Sequence, residues 1–216
     1  MNNIYKFGFT LAEVLITLAI IGVIAAMTLP ALINKTNKAE NVVALKKAYE
    51  TLSQITYMIA SENGSIQNAV SKAGSKEDFA NIFITKLNVI KNCGGSNEYA
   101  SGCFPNITYK YLNGSDWANI TTVSNYSTIL TNDGMSYIFH LASTNCTSDV
   151  SNPSGTIPLS NLCGDIWVDI NGPNKGPAKI GKDLFIFWVT KKGLYPTGTY
   201  HDSWNSDCLT NGYGCT

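Results

Sequence analysis

Hydrophobic and polar positions change their spacing along the chain, and each change predicts an element. Residues 14–32 are dominated by Leu, Ile, Val and Ala, and as a helix they would extend about 28 Å, close to the ~30 Å hydrocarbon core of a bilayer. From Asn37 the apolar positions recur at intervals of three, four and seven, which predicts an amphipathic helix. Its apolar stripe comprises Val42, Leu45, Tyr49, Leu52 and Ile59. The pattern predicts one long helix from about residue 10 to residue 61, ended by Gly64, with a heptad coiled coil as the alternative for its second half.

Beyond Gly64 the pattern predicts a globular head. Residues 75–78, Ser-Lys-Glu-Asp, have the form of a capping box and predict a second helix, which we expect to end near Cys93. Its apolar positions at helical spacing are Phe79, Ile82, Phe83, Leu87 and Ile90. Strands are predicted at residues 108–112, 126–130, 136–141, 165–170 and 184–190, with Asn132-Asp133-Gly134 as a hairpin turn. We therefore expect an α+β fold in which the long N-terminal helix packs on an antiparallel sheet.

Composition and charge narrow the function classes open to this chain of 216 residues. It has 15 basic and 15 acidic residues, so no net field recruits nucleic acid or anionic lipid. Charged residues make up 14% of the chain, below the roughly 25% of typical soluble domains, and Asn, Ser, Thr and Gly take their place. Six cysteines without a C-x-x-C pair predict disulfides and an oxidising compartment and argue against a zinc site.

Glu13 is an unexpected residue near the start of the apolar run. A carboxylate at the centre of an inserted helix costs about 2.5–3.5 kcal/mol on insertion scales. One explanation is an interfacial glutamate that snorkels to water. A secretory signal peptide and an ordinary membrane anchor are alternatives for the whole segment. The apolar run, however, exceeds the roughly 7–15 residues of a signal peptide, and no small-x-small cleavage site closes it.

Residues 8–16, Gly-Phe-Thr-Leu-Ala-Glu-Val-Leu-Ile, closely resemble the prepilin processing motif of type IV pilins and type II secretion pseudopilins. The resemblance covers the short leader, the junction between Gly8 and Phe9, Glu13, the hydrophobic run and Pro30, or about the first quarter of the chain. It implies that a membrane peptidase on the cytoplasmic side cuts between Gly8 and Phe9 and then N-methylates Phe9. The hydrophobic helix would stay on the mature protein.

The resemblance and the hydrophobic pattern together divide the chain into four parts. We expect a leader peptide at residues 1–8, a hydrophobic transmembrane and assembly helix at 9–33, its amphipathic continuation at 34–63, and a globular α+β head with a C-terminal disulfide loop at 64–216. Gly22 and Pro30 are expected to kink the helix, because proline removes a backbone donor and clashes with the preceding turn.

Under this interpretation Glu13 acts in assembly. Cleavage creates a cationic amine at Phe9, and Glu13 lies one helical turn away. Staggered neighbours in a filament would bring one subunit's Glu13 to the Phe9 amine of another, so that two groups that are each costly in an apolar core satisfy each other. The carboxylate would then set the register between subunits.

The lysines around the span argue against the expected orientation. Only Lys6 precedes the apolar run, whereas four lysines follow it at positions 35, 38, 46 and 47. Charge counting alone therefore favours an exported N-terminus. The processing motif and the cysteines override it, because disulfides require an exported head.

For the disulfides we expect pairing between cysteines adjacent in sequence: Cys93–Cys103, Cys146–Cys163 and Cys208–Cys215. Each pair closes a short loop rich in Gly, Asn or Ser, where chain closure costs little. Sequence alone allows 15 pairings of six cysteines.

The head contains one candidate metal site and little else that suggests catalysis. Asp169, Asn171 and Asp183 are candidate oxygen ligands for calcium; the alternative is a tight loop in which Asn and Asp side chains bond their own backbone. No other cofactor is expected. His140 lies in a predicted strand, and residues 200–203, Tyr-His-Asp-Ser, match a catalytic triad poorly because triad members meet through the fold.

We therefore expect a structural subunit of a type IV pilus-like or type II secretion pseudopilus filament, not an enzyme. Its partners would be other pilin or pseudopilin subunits, the prepilin peptidase, the inner-membrane assembly machinery and, before assembly, the membrane; no specific nucleic acid is evident. The expected location is the bacterial inner membrane with an extracytoplasmic head, then a cell-surface or periplasm-spanning filament. A pilus, a pseudopilus and a competence filament all remain open. The alternative is a membrane-anchored extracytoplasmic binding domain, for carbohydrate or adhesion, or an enzyme, that does not polymerise.

Overall fold

The computed structural model describes residues 8–95, 102–120, 126–150 and 159–197. The chain divides into two compact units, Met1–Val42 and Val43–Thr216. Helix α1, Leu11–Asn63, contributes residues to both units. It runs through Pro30 without interruption, and Gly64 follows it with a φ of +78°, the left-handed conformation that commonly ends a helix. The long helix predicted from the hydrophobic pattern is confirmed, and the kink at Gly22 and Pro30 stays a prediction.

The part of α1 within the second unit packs on the head through a narrow apolar face. Ala48, Leu52, Ile55 and Ile59 are buried in the main core. The predicted stripe was only partly right, because Val42 and Tyr49 are 46% and 40% exposed. Ala48 and Ile55, which were not part of the predicted stripe, complete the buried face with Leu52 and Ile59. The Tyr49 ring stacks on Phe187, with ring centroids 6.0 Å apart.

Two short helices follow. Helix α2 is Ile66–Ser71, and helix α3 is Lys76–Ile84. The predicted start of α3 is confirmed: the Ser75 side chain accepts a hydrogen bond from the Asp78 backbone N–H, as an N-cap does. The predicted end near Cys93 was wrong.

The region after α3 is a strand, because β-branched residues meet a partner strand there. Strand β1 is Val89–Gly94, and it pairs with the strand containing Ile129. Ile90, which we expected on the apolar face of a helix, is 63% exposed. The apolar residues Leu87 and Ile90 continued the helical spacing of α3 by chance. The conformation of β1 is set instead by backbone pairing with a strand distant in sequence.

Nine strands are found in the described residues: β1, β2 Thr108–Lys110, β3 Asp116–Asn119, β4 Ser127–Thr131, β5 Ser136–Leu141, β6 Ser148–Val150, β7 Leu159–Asp169, β8 Leu184–Thr190 and β9 Gly193–Pro196. Seven of them form an antiparallel sheet in the order β1-β4-β5-β7-β8-β9, with β6 pairing β7. Strands β2 and β3 form a separate hairpin. This is the α+β, pilin-like arrangement that we expected.

The predicted strands are all present, and two of them, 136–141 and 184–190, have the predicted bounds. The segment 108–112 ends earlier, at Lys110, and 126–130 is displaced by one residue. The segment 165–170 covers the end of the longer β7 and extends one residue beyond it. The hairpin turn at 132–134 is confirmed, with Gly134 at a φ of +83°. Strands β1, β3, β6 and β9 were not predicted.

The two faces of the sheet bury different clusters, because side chains alternate along each strand. Tyr137 and Phe139 face the cluster that contains the α1 and α3 residues. Ile138, between them, faces a second cluster with Tyr109 of the β2–β3 hairpin. A Cβ at Gly164 would lie 2.2 Å from the His140 carbonyl oxygen of β5 and 2.9 Å from Phe79 Cζ of α3, so only glycine fits there.

Two disulfides join loops to the sheet. Cys93 is bonded to Cys103, and Cys146 to Cys163. Both pairings are those expected from the sequence. Cys208 and Cys215 lie outside the described residues, so their pairing stays a prediction.

Candidate assembly site on the N-terminal helix

The first turn of α1 is closed by reciprocal hydrogen bonds between Thr10 and Glu13. The Glu13 Oε2 atom accepts from the Thr10 backbone N–H at 2.8 Å and from the Thr10 hydroxyl at 2.7 Å. In return, the Glu13 backbone N–H donates to Thr10 Oγ1 at 3.3 Å. This is a capping box, in which a threonine at the N-cap and a glutamate three residues later satisfy each other's backbone donors.

Thr10 is a residue that our sequence reasoning missed as part of the site. The signal that could have found it is the spacing Thr-x-x-Glu directly before an apolar run. Both hydrogen bonds to the carboxylate end at Oε2. In the described part of the chain no donor reaches the other oxygen, Oε1, so the cap leaves one oxygen available for an external cation.

Glu13 is the only charged residue in the apolar stretch Leu11–Pro30. The two threonine hydroxyls in this stretch bond the helix backbone: Thr17 donates to the Val14 carbonyl oxygen at 2.9 Å and Thr28 to that of Ile24 at 3.0 Å. Their polarity is therefore satisfied locally. Within Leu11–Pro30, the Glu13 carboxylate is therefore the group that could still bind a cation, through its Oε1 atom.

The helix around Glu13 presents its apolar side chains outward. Leu11–Pro30 is long and apolar enough to cross a membrane, with a mean hydropathy of 2.3, and none of it is buried inside the structure. A signal sequence would meet the same criteria of length and composition, and no membrane is present here. Just before the helix, the Phe9 side chain is 90% exposed, and a Cβ at Gly8 would meet no neighbouring atom within 4 Å.

The N-terminal segment, including the start of α1, resembles a known protein family. The protein-family model described as the prokaryotic N-terminal methylation motif matches residues 5–29. The chain carries the N-terminal methylation motif of type IV pilins and pseudopilins. No curated protein and no solved structure matches the chain. Gly8, Phe9, Thr10 and Glu13 all lie within the matched segment.

The candidate calcium ligands lie at the end of β7 and in the loop that leads to β8. The Asp169 Oδ1 atom accepts from the backbone N–H groups of Asn171 and Gly172 at 3.2 and 3.0 Å, and its Oδ2 accepts from the Tyr109 hydroxyl. The Asp183 carboxylate accepts from the backbone N–H groups of Ala178 and Lys179. The oxygens of both carboxylates are thus engaged in holding the loop.

The surroundings of this loop raise the pKa of both carboxyl groups. Burial raises the pKa of Asp169 to about 7, helped by the nearby Asp183 charge, although the Tyr109 hydroxyl opposes the shift. Burial also raises the pKa of Asp183. The buried Asn171 Oδ1 atom accepts no hydrogen bond, and the described residues contain no group of three or more His, Cys, Asp or Glu side chains able to hold a metal ion. The geometry matches the tight-loop alternative, and calcium binding itself is untested.

A second polar group lies on the face of the sheet that buries the second cluster. The His140 Nδ1 atom lies 2.8 Å from Asp165 Oδ1, and Trp167 Nε1 donates to the other oxygen of the same carboxylate. The hydrogen bond to Asp165 raises the pKa of His140. The Tyr126 ring meets His140 edge-on at 5.0 Å between centroids. With the carboxylate shared between two donors, this arrangement orients His140. His201, in the weak triad match, lies outside the described residues.

Proposed function

We propose that this chain is a structural subunit of a type IV pilus-like or type II secretion pseudopilus filament. In this proposal the prepilin peptidase cuts between Gly8 and Phe9 and methylates the new amine. Before assembly, the mature chain is anchored in the inner membrane with its head outside the cytoplasm. The assembly machinery then moves it into a filament through the N-terminal helix.

One observation supports the proposal most strongly: the methylation motif coincides with an exposed apolar stretch, Leu11–Pro30, whose only charged residue is Glu13. A helix that served only as an anchor would gain from an apolar residue at this position, because a carboxylate is costly in hydrocarbon. The retained charge is explained by a partner cation. The capping box leaves Glu13 Oε1 free to receive it.

The proposed contact joins that oxygen to the methylated Phe9 amine of a neighbouring subunit. In an apolar filament core an unpaired carboxylate or ammonium is strongly unfavourable, and a paired one is tolerated. Subunits added in the wrong stagger would leave both charges unpaired. The contact thus selects the register and contributes little to affinity.

The test compares filament yields of Glu13→Gln and Glu40→Gln. Glutamine at position 13 keeps an oxygen for the Thr10 donors and removes the charge, whereas Glu40 is an exposed glutamate outside the apolar stretch. We expect Glu13→Gln to remain in the membrane fraction with an intact head and to lose most sheared filaments. Glu40→Gln should assemble as the unsubstituted chain does.

The alternative, a membrane-anchored binding domain or enzyme that does not polymerise, gives a different outcome. The unsubstituted chain would then stay entirely in the membrane fraction when the assembly machinery is present. A normal filament yield from Glu13→Gln would support the filament proposal but would show that the carboxylate is not needed for assembly. The choice between pilus, pseudopilus and competence filament depends on which assembly machinery supports the yield.

A further inference from the structure

Asn-Gly pairs occur at three places in the described residues: 63–64, 113–114 and 171–172. An asparagine side chain is prone to attack by the next backbone nitrogen when glycine follows, since glycine has no Cβ to hinder the approach. We propose that Asn113 is a site of spontaneous deamidation, at which the folded chain converts an amide into a carboxylate without an enzyme. The fold protects the other two asparagines. A fourth pair, 211–212, lies outside the described residues.

The surroundings of Asn113 favour the reaction. This residue is exposed in the turn that joins β2 to β3. Its side-chain oxygen, Oδ1, accepts hydrogen bonds from the Ser115 backbone N–H at 2.9 Å and from the Ser115 hydroxyl at 2.8 Å. When a nucleophile adds to Cγ, negative charge develops on Oδ1. Two donors already aimed at that atom stabilise the charge, as in an oxyanion hole.

The reaction needs only water as a co-reactant. The Gly114 nitrogen forms a bond to Asn113 Cγ and loses its proton, while the bond from Cγ to Nδ2 breaks and ammonia leaves. Water then opens the resulting succinimide at either carbonyl and yields aspartate or isoaspartate. The Gly114 N–H donates to the Tyr111 carbonyl oxygen at 3.0 Å, and this bond must open first. A Cβ at Gly114 would meet no atom within 4 Å, so the turn has room to rearrange.

Asn171 has the same following residue and the opposite environment. The nitrogen that would attack, from Gly172, donates at 3.0 Å to the buried Asp169 carboxylate. A Cβ at Gly172 would lie 2.1 Å from the Gly134 carbonyl oxygen, which shows how little space surrounds this backbone. The side-chain Nδ2 of Asn171 donates to the Gly176 carbonyl oxygen at 3.2 Å. Ring closure there would break the structure of the loop.

Asn63 is held by its own helix. Its Nδ2 donates to the Ile59 carbonyl oxygen at 3.0 Å. The Lys72 ammonium group donates to its Oδ1 at 3.4 Å, but Asn63 is only partly exposed and is the last residue of α1. Its amide must leave the Ile59 carbonyl oxygen and the helix end must open before the ring forms. Of the three asparagines, only Asn113 combines exposure with donors on the atom that becomes negative.

The product changes the charge of an exposed surface of the head. The hairpin already carries an ion pair between Lys110 and Asp116, with Nζ and Oδ1 3.6 Å apart. A carboxylate at position 113 adds a second acidic group to the same turn. An isoaspartate would in addition lengthen the backbone of the turn by one atom.

The test follows each asparagine separately in the full chain. Purified chain in detergent is incubated at mildly alkaline pH, and peptide mass spectrometry measures aspartate and isoaspartate at positions 63, 113 and 171 over time. A parallel sample is unfolded in denaturant with its disulfides reduced. We expect Asn113 to react severalfold faster than Asn63 and Asn171 in the folded chain, and the three rates to converge in the unfolded chain.

The variant Ser115→Ala tests the donor to the developing charge. It should slow deamidation of Asn113 severalfold in the folded chain and leave the unfolded rate nearly unchanged. Continued protection of Asn171 in this variant shows that the head is still folded. Equal protection of all three asparagines in the folded chain would overturn the proposal, and so would an unchanged Asn113 rate in Ser115→Ala.

Discussion

The Thr10 hydroxyl and the Glu13 carboxylate hold each other in place, with Thr10 Oγ1 2.7 Å from Glu13 Oε2. The residue proposed to recognise a neighbouring subunit is therefore also the residue that closes its own helix. A carboxylate fixed by two local donors has fewer orientations to lose when it meets a cation. The cap and the intersubunit contact thus depend on the same rotamer of Glu13.

Thr10→Val tests this dependence. Valine keeps the shape of the side chain and the backbone N–H bond but removes the hydroxyl donor, and loss of a threonine cap typically costs about 1 kcal/mol. We expect filament yield to fall by roughly fivefold, since about 1.4 kcal/mol corresponds to tenfold, with processing unchanged. Thr17→Val is the matched control, because its hydroxyl bonds only the Val14 carbonyl oxygen. Equal losses in both variants would assign the effect to the helix in general.

The buried carboxyl group of Asp169 predicts a pH dependence of stability. Its folded pKa is raised to about 7, whereas an unfolded aspartate titrates near 3.9. The folded state therefore holds the proton more tightly, and stability is lost as pH rises from about 4 to about 7, by up to about 1.4 kcal/mol per pH unit. The raised pKa of Asp183 acts in the same direction.

Thermal unfolding of the full chain in detergent between about pH 4 and about pH 8 measures this slope. Asp169→Asn should flatten it, because asparagine remains neutral and still accepts a hydrogen bond from Tyr109. Asp116→Asn, at a side chain that is 73% exposed, should leave the slope as it is. A melting temperature that rises through this range in the unsubstituted chain would contradict the raised pKa of Asp169.

Calcium gives an independent test of the same loop. Because backbone N–H groups and Tyr109 already occupy the Asp169 and Asp183 oxygens, we expect calcium to shift the melting temperature above pH 7 no more than magnesium does. A stabilisation specific to calcium and lost in Asp183→Asn would show that ionised carboxylates exchange these bonds for the metal.

The Cys146–Cys163 disulfide is expected to be the more important of the two observed bridges. It closes a loop with a sequence separation of 17, and both cysteines are fully buried. The chain-entropy term for such a loop is about 3 kcal/mol, and burial in the main core adds a packing loss when both are replaced by alanine. The comparison is the pair Cys93–Cys103, which has a separation of 10 and of which only Cys103 is fully buried. A larger fall in melting temperature for the Cys93→Ala/Cys103→Ala variant would refute this ranking.

Local patterns predicted the elements whose causes are local. Strand β5 begins after a turn with glycine at a positive φ, and strand β8 is a continuous run of β-branched and aromatic residues, so both matched their predicted bounds. The Thr10–Glu13 cap also has a local cause, and its Thr-x-x-Glu spacing could have predicted it, although we missed it.

Features that depend on distant partners could not be predicted in this way. Strand β1 exists because it pairs with β4, about 40 residues later in the chain, and its apolar residues happened to continue a helical period. The hydrogen bond from Tyr109 to Asp169 joins residues 60 positions apart. Asp169 was singled out as a metal ligand from its loop composition, whereas its buried tyrosine partner is visible only in the folded chain.

The most direct test of the account is the intact mass of this chain taken from a sheared filament fraction. We expect a polypeptide that begins at Phe9, carries one methyl group on its amine and is recovered outside the membrane. Recovery solely from the membrane, with residues 1–8 still attached, would contradict it.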